Sequence, residues 1–112
     1  MTIVLNDKPT KILWDGYQGS TPGLVVHREI MRQYGNSEDY TNGSTWGITH
    51  LESGRKVDFA KGFMRRKDAE SMAKYLAPFC DWTMTEREIL EAKPFKGVAR
   101  DVAAKAKEIA AG

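Results

Sequence analysis

The stretch TWGITHLESGRKVDFAKGFMRRKDAESMAKYLAP, residues 45–78, decides the fold. Its first part reads as two short strands joined at Glu52-Ser53-Gly54, and RRKDAESMAKYLAP reads as a helix stopped by Pro78. With period-two alternation, Trp46, Ile48 and His50 point to one face of the first strand and Thr49 and Leu51 to the other. Val57 and Phe59 continue the apolar side of the returning strand. Ala69, Met72, Ala73 and Leu76 recur at i, i+3, i+4 and i+7, the spacing of a core-facing helical stripe. The stretch is therefore a ββα unit.

Upstream, Thr2–Leu5 and Thr10–Trp14 are β-rich segments around the turn-forming Asn6-Asp7-Lys8-Pro9, which predicts a hairpin. Asp15 to Gly23, with three glycines and a proline, reads as loop. Thr21-Pro22 then reads as an N-cap with proline at the first helical position, and Val26, Ile30 and Tyr34 at i, i+4 and i+8 predict a helix closed by Gly35. The competing reading takes Leu24-Val25-Val26 as the start of a strand, because β-branched residues favour one. With the helix, residues 3–34 and 46–77 share one order of elements, a ββα pseudo-repeat with few matching residues. Residues 36–44 read as an exposed polar loop; it contains an Asn42-Gly43-Ser44 sequon without a secretion signal to make it meaningful.

Downstream of Pro78, both Thr83/Glu86 and Thr85/Glu88 fit a capping box, so a helix starts there and ends before Pro94. Lys96 to Ala111 is helical in pattern. Ala99, Val102, Ala106 and Ile109, with Val98, form one face, and Lys96, Arg100 and Lys107 form a basic ridge on another. The expected fold is a single α+β domain spanning residues 1–112. It has a small antiparallel sheet built from two β-hairpins, helices packed on one face, and two C-terminal helices in the segment 83–111.

Composition narrows the function classes. The chain has 112 residues, 41% hydrophobic and 29% charged, close to ordinary globular proteins. It holds no apolar run near the roughly 20 residues that span a bilayer, and no secretion signal. One cysteine, Cys80, suits a reducing compartment, which predicts the cytoplasm. Two histidines, His27 and His50, and that cysteine fall short of a zinc set. No phosphate-loop or serine-nucleophile motif occurs; the expectation is a protein that is not an enzyme and carries no cofactor or metal.

Net charge is only +2, but residues 61–112 carry eleven basic and eight acidic side chains. Arg55 and Lys56 leave the predicted turn, and Lys61, Arg65, Arg66 and Lys67 crowd the strand-to-helix connection. Such a set can neutralise phosphates, with salt-sensitive, sequence-independent affinity. Tyr17, Tyr40 or Trp46, where exposed, can stack on unpaired bases. The candidate binding residues are thus Tyr40, Trp46, Arg55, Lys56, Lys61, Arg65, Arg66 and Lys67, with Lys96, Arg100 and Lys107 as a secondary ridge, and the expected partner is nucleic acid or a nucleoprotein complex. The alternative is a protein–protein inhibitor or adaptor of phage or mobile-element type that blocks a larger complex. Trp14, Trp46 and Trp82 are each expected chiefly in the core, as is Cys80.

Overall fold

A computed structural model describes residues 1–7, 10–32, 40–57 and 60–111, with side chains for 1–5, 13–29, 43–57 and 60–111. Among the described residues five strands precede three α-helices: β1 (Thr2–Asp7), β2 (Thr10–Asp15), β3 (Tyr17–Gln18), β4 (Leu24–Arg32), β5 (Tyr40–His50), α1 (Arg66–Leu76), α2 (Glu86–Ala92) and α3 (Ala99–Ala111). All pairing between these strands is antiparallel. β1 and β2 form the expected hairpin, with Thr2 opposite Asp15, and β3-β4-β5 form a second sheet. The α+β class, the antiparallel sheets and the C-terminal helices follow the sequence reading.

The central sheet is covered on both faces. Cross-strand neighbours share a face, so Leu24 and Val26 of β4 and Ile48 of β5 lie together, packed with Phe63, Met72, Leu76, Trp82 and Val102 in the main core under α1 and α3. Val25 faces the other way and packs with Ile3 and Leu5 of the hairpin, Trp14 and Leu51 closing the smaller cluster. Ala69, Met72, Ala73 and Leu76 are all buried, as the helical stripe requires. On α3, Val102 and Ala106 are buried and Ile109 and Val98 partly so, whereas Ala99 is exposed.

Residues 24–32 are a strand and not the helix that the punctuation predicts. Thr21-Pro22-Gly23 makes a turn, Leu24 N donating to Thr21 O at 3.2 Å, and Thr21 Oγ1 donates across to Ala73 O at 2.9 Å instead of capping a helix. Gly23, at φ 93°, takes a left-handed conformation that no helix start uses. Without that helix, the first half of the ββα pseudo-repeat is absent. Of the polar loop expected over 36–44, residues 40–44 belong to β5; residues 33–39 lie outside the described residues, as do Asp58 and Phe59.

The second hairpin is also less regular than expected. The Glu52-Ser53-Gly54 turn forms, Gly54 N donating to His50 O at 2.8 Å. The returning segment touches β5 through isolated bridges at Thr49–Lys56 and Trp46–Phe63 rather than as a continuous strand. Between them Val57 N donates to Ile48 O and Ile48 N to Ala60 O, each at 3.0 Å. Along β4 and β5 the register shifts between Arg28 and Ile30, so that residues 43–45 lie opposite Glu29 alone, a bulge that bends the ribbon.

Both histidines are buried and hydrogen-bonded. His50 Nε2 donates toward Trp82 O and Met84 O, each at 2.9 Å, and its Nδ1 accepts from Ser53 Oγ at 2.7 Å. The sheet is thereby tied to the 82–84 turn. α2 begins with the Thr85/Glu88 capping box, Glu88 N donating to Thr85 Oγ1 and Thr85 N to Glu88 Oε1, both at 3.2 Å. Among the described residues no helix is long and apolar enough to cross a membrane.

His27 gives a pH prediction. Its Nδ1 donates to Arg28 O at 2.9 Å and its Nε2 accepts from Thr49 Oγ1 at 2.6 Å, which fits the neutral ring. Burial holds its pKa below the ordinary 6.5; the bond to the Arg28 carbonyl opposes this, the Lys56 charge adds to it and Glu29 opposes it. Below about pH 6.5 the unfolded chain takes up a proton that the folded one resists, so this stability is present above 6.5 and is lost as pH falls toward the folded value. Urea unfolding between pH 8 and 5 is expected to show a decline in that window that is shallower in His27→Gln. Equal slopes for the two proteins would remove His27 from the account.

Candidate nucleic-acid interface

The sheet and α1 together build a row in which two neighbouring aromatic rings are flanked by two guanidinium groups. α1 runs alongside β3 and the turn after it. Arg66 reaches Tyr17, Gly19 lies near the Glu70 side chain, and Ala73 meets Thr21. Tyr17 pairs with Val26 and Arg28 with Trp46, so all four side chains belong to the helix-bearing face of the sheet. Trp46 exchanges both backbone bonds with Phe63, at 2.6 and 3.1 Å. That makes Arg28–Trp46 a pair without mutual hydrogen bonds, in which opposed side chains stand closest.

The geometry follows from this placement. The Arg66 guanidinium lies 3.9 Å from the Tyr17 ring centroid, the Tyr17 and Trp46 centroids are 6.0 Å apart with planes tilted by 46°, and the Arg28 guanidinium lies 5.1 Å from the Trp46 ring. Tyr17 is 41% exposed, Arg28 is exposed and Trp46 is half-buried. Each guanidinium–ring contact at an exposed site is worth roughly 0.5–1 kcal/mol, enough to favour the arrangement without locking it.

The basic residues divide by location. Arg65 bonds Asp68 through two N–H groups at 3.0 and 3.2 Å, and Arg66 Nε bonds Glu70 Oε1 at 3.0 Å. The exposed Arg66–Glu70 pair is of the surface kind that contributes about 0–1 kcal/mol and can be exchanged for a phosphate, whereas Asp68 is buried and holds Arg65 more firmly. Lys61 and Lys67 are exposed, with no ion pair among the described residues. Lys61 belongs to the segment 60–63, held to the sheet by Gly62 N donating to Glu29 Oε1 at 2.5 Å.

The other predicted residues lie elsewhere. Arg55 pairs with Glu86 at 3.1 Å beside His50, four strand residues or about 13 Å along β5 from Trp46. Lys56 bridges Thr49, on the reverse face with His27. Tyr40 lies on β5, its side chain outside the described residues. Lys96, Arg100 and Lys107 are exposed on the C-terminal helical segment, with no hydrogen bond, ion pair or ring contact to the row. Trp14 and Trp46 are half-buried, whereas Trp82 is core, its Nε1 donating to Leu76 O at 2.8 Å.

Arg28, which ends the row, is hidden by the helical reading of residues 22–34. Reading Leu24-Val25-Val26 as strand would have placed Arg28 on the Leu24 face. The glycine-rich 19–23 segment enters a strand, so it offers no helix N-terminus to an anion. Burial first, and then the Asp81 charge, push the Cys80 thiol above its ordinary pKa, which disfavours the nucleophilic thiolate. Among the described residues no three His, Cys, Asp or Glu side chains come together as a metal set. No protein-family model, curated protein or solved structure matches the chain.

Proposed function

We propose that this chain is a non-enzymatic binding protein of the cytoplasm that contacts nucleic acid, free or within a nucleoprotein complex, through the surface built by β3, β4, β5 and the start of α1. The observation that carries this reading is the Arg66–Tyr17–Trp46–Arg28 row, with Lys61, Arg65 and Lys67 on the connection between β5 and α1 and the first turn of α1. Its mechanism is phosphate neutralisation by the cations, with the aromatic rings adding contact area and little base reading.

The test is oligonucleotide binding at 50 and 200 mM salt, beside an Arg65→Ala, Arg66→Ala, Lys67→Ala variant checked for folding by circular dichroism. With about four phosphates contacted, affinity is expected to fall roughly 10- to 100-fold across that salt range. The folded triple variant is expected to bind weakly and with a shallower slope. No binding at 50 mM salt would remove this function.

A second reading, a protein–protein inhibitor or adaptor, draws on the outer face of the β1–β2 hairpin. There the cross-strand partners Val4 and Leu13 are 45% and 72% exposed. An interface anchored on them would respond weakly to salt and would be lost in Leu13→Asp.

A further inference from the structure

We infer that the row takes unpaired bases, so that the partner is single-stranded nucleic acid; this deepens the nucleic-acid reading above and rests on it. A duplex keeps its base faces stacked inside and would offer this surface little besides phosphates. The surface is poorly endowed for that: Arg28, Lys61, Arg65, Arg66 and Lys67 are set against Glu29, Asp68 and Glu70, and two of the arginines are already paired. Duplex DNA carries about one charge per 1.7 Å of axis and is held mainly by basic density. A single strand has sparser charge and gains affinity from stacking, which any base can supply.

The row supplies that stacking. Tilted by 46°, the Tyr17 and Trp46 rings do not cover one another face to face. The Arg66 guanidinium lies 3.9 Å over the Tyr17 ring and is exposed, and guanidinium planes are themselves surfaces on which bases stack. Arg66 uses Nε on Glu70, and Arg28 uses Nη1 on Gly43 O at 3.4 Å. Each guanidinium carries further N–H groups beyond these bonds, which we assign to phosphates flanking a stacked base. One layer thus holds base faces and backbone charges of a strand lying across β3, β4 and β5.

The experiment measures fluorescence anisotropy of four labelled probes of one length: an unstructured DNA strand, the same sequence as RNA, the matching duplex, and a DNA strand with abasic sites throughout. The two single strands are expected to bind at least 10-fold more tightly than the duplex and the abasic strand, and the stronger of the two identifies the sugar preferred. Tyr17→Leu and Trp46→Leu, which keep apolar bulk and remove the ring, are each expected to weaken single-strand binding roughly 5- to 100-fold and abasic-strand binding by less. The comparison of probes on the unaltered protein needs no variant to fold. Equal affinity for all four probes, with salt dependence, would overturn base stacking and leave phosphate contact standing. Absence of binding to every probe at 50 mM salt would overturn both.

Discussion

Gly23→Ala is expected to destabilise the fold by about 2–5 kcal/mol, seen as a lower urea midpoint at unchanged slope. A Cβ at this position would stand 2.3 Å from both the carbonyl carbon and the oxygen of Trp82, distances that backbone cannot accommodate without moving. The φ of 93° adds a conformational cost that alanine bears and glycine does not. Neither neighbour can yield freely. Gly23 O accepts from Leu51 N at 2.9 Å, and the Trp82 carbonyl accepts from buried His50. Separating the two segments would strip a buried imidazole of an acceptor and pull Trp82 off the main core.

Gly62 provides the control. Its φ is 79°, but an added Cβ meets nothing within 4 Å, so Gly62→Ala carries only the conformational cost, about 1–2 kcal/mol. A larger loss for Gly23→Ala than for Gly62→Ala isolates the contact with Trp82. Equal losses would show that the close approach is not there.

Phe63→Ala is expected to cost about 3–5 kcal/mol, the range for emptying a buried phenylalanine site. Phe63 is 0% exposed, and its backbone exchanges two hydrogen bonds with Trp46. The cavity therefore opens beside Trp46, the ring that β5 contributes to the row. At a temperature where the variant remains folded, its single-strand affinity is expected to drop more than that of Val102→Ala, a core truncation on α3 with no bond to β5. Phe63→Leu, which keeps most of the apolar volume, should recover most of the stability. A loss for Phe63→Ala within the roughly 0.5 kcal/mol of surface substitutions would contradict its burial.

The legible parts of the fold are those where local pattern and burial agree. Ala69, Met72, Ala73 and Leu76 keep helical spacing because α1 is buried along one stripe, and the Thr85/Glu88 box is local chemistry that needs no tertiary partner. The alternation of Trp46, Ile48 and His50 against Thr49 and Leu51 also survives into the structure. β4 was illegible because the sheet is sandwiched. Leu24, Val25, Val26 and His27 are all buried, half against the helices and half against the hairpin, so no period-two signal remains. Flanking turn residues then imitate helix caps, and Val26, Ile30 and Tyr34 imitate a stripe.

The candidate site divides along the same line. The run Lys61 to Lys67 is contiguous in sequence and could be seen there. Tyr17, Arg28 and Trp46 come from three strands, and only the order β3-β4-β5 and its register set them side by side. Lys56 was misgrouped for the converse reason: one residue from Arg55 in sequence, it pairs with Thr49 and so faces the far side of the sheet.

β3 is only two residues long, which among the described residues leaves β4 without a strand neighbour beyond Val26 on that side. At Arg28 the carbonyl that a third strand would have used accepts instead from the Trp14 indole N–H at 2.8 Å and from His27 Nδ1 at 2.9 Å. A bare acceptor there would invite a strand from another copy, the first step of edge-to-edge polymerisation. The hairpin behind the sheet thus does more than complete a small core: through one indole it closes that acceptor to another chain and helps keep copies of the protein apart.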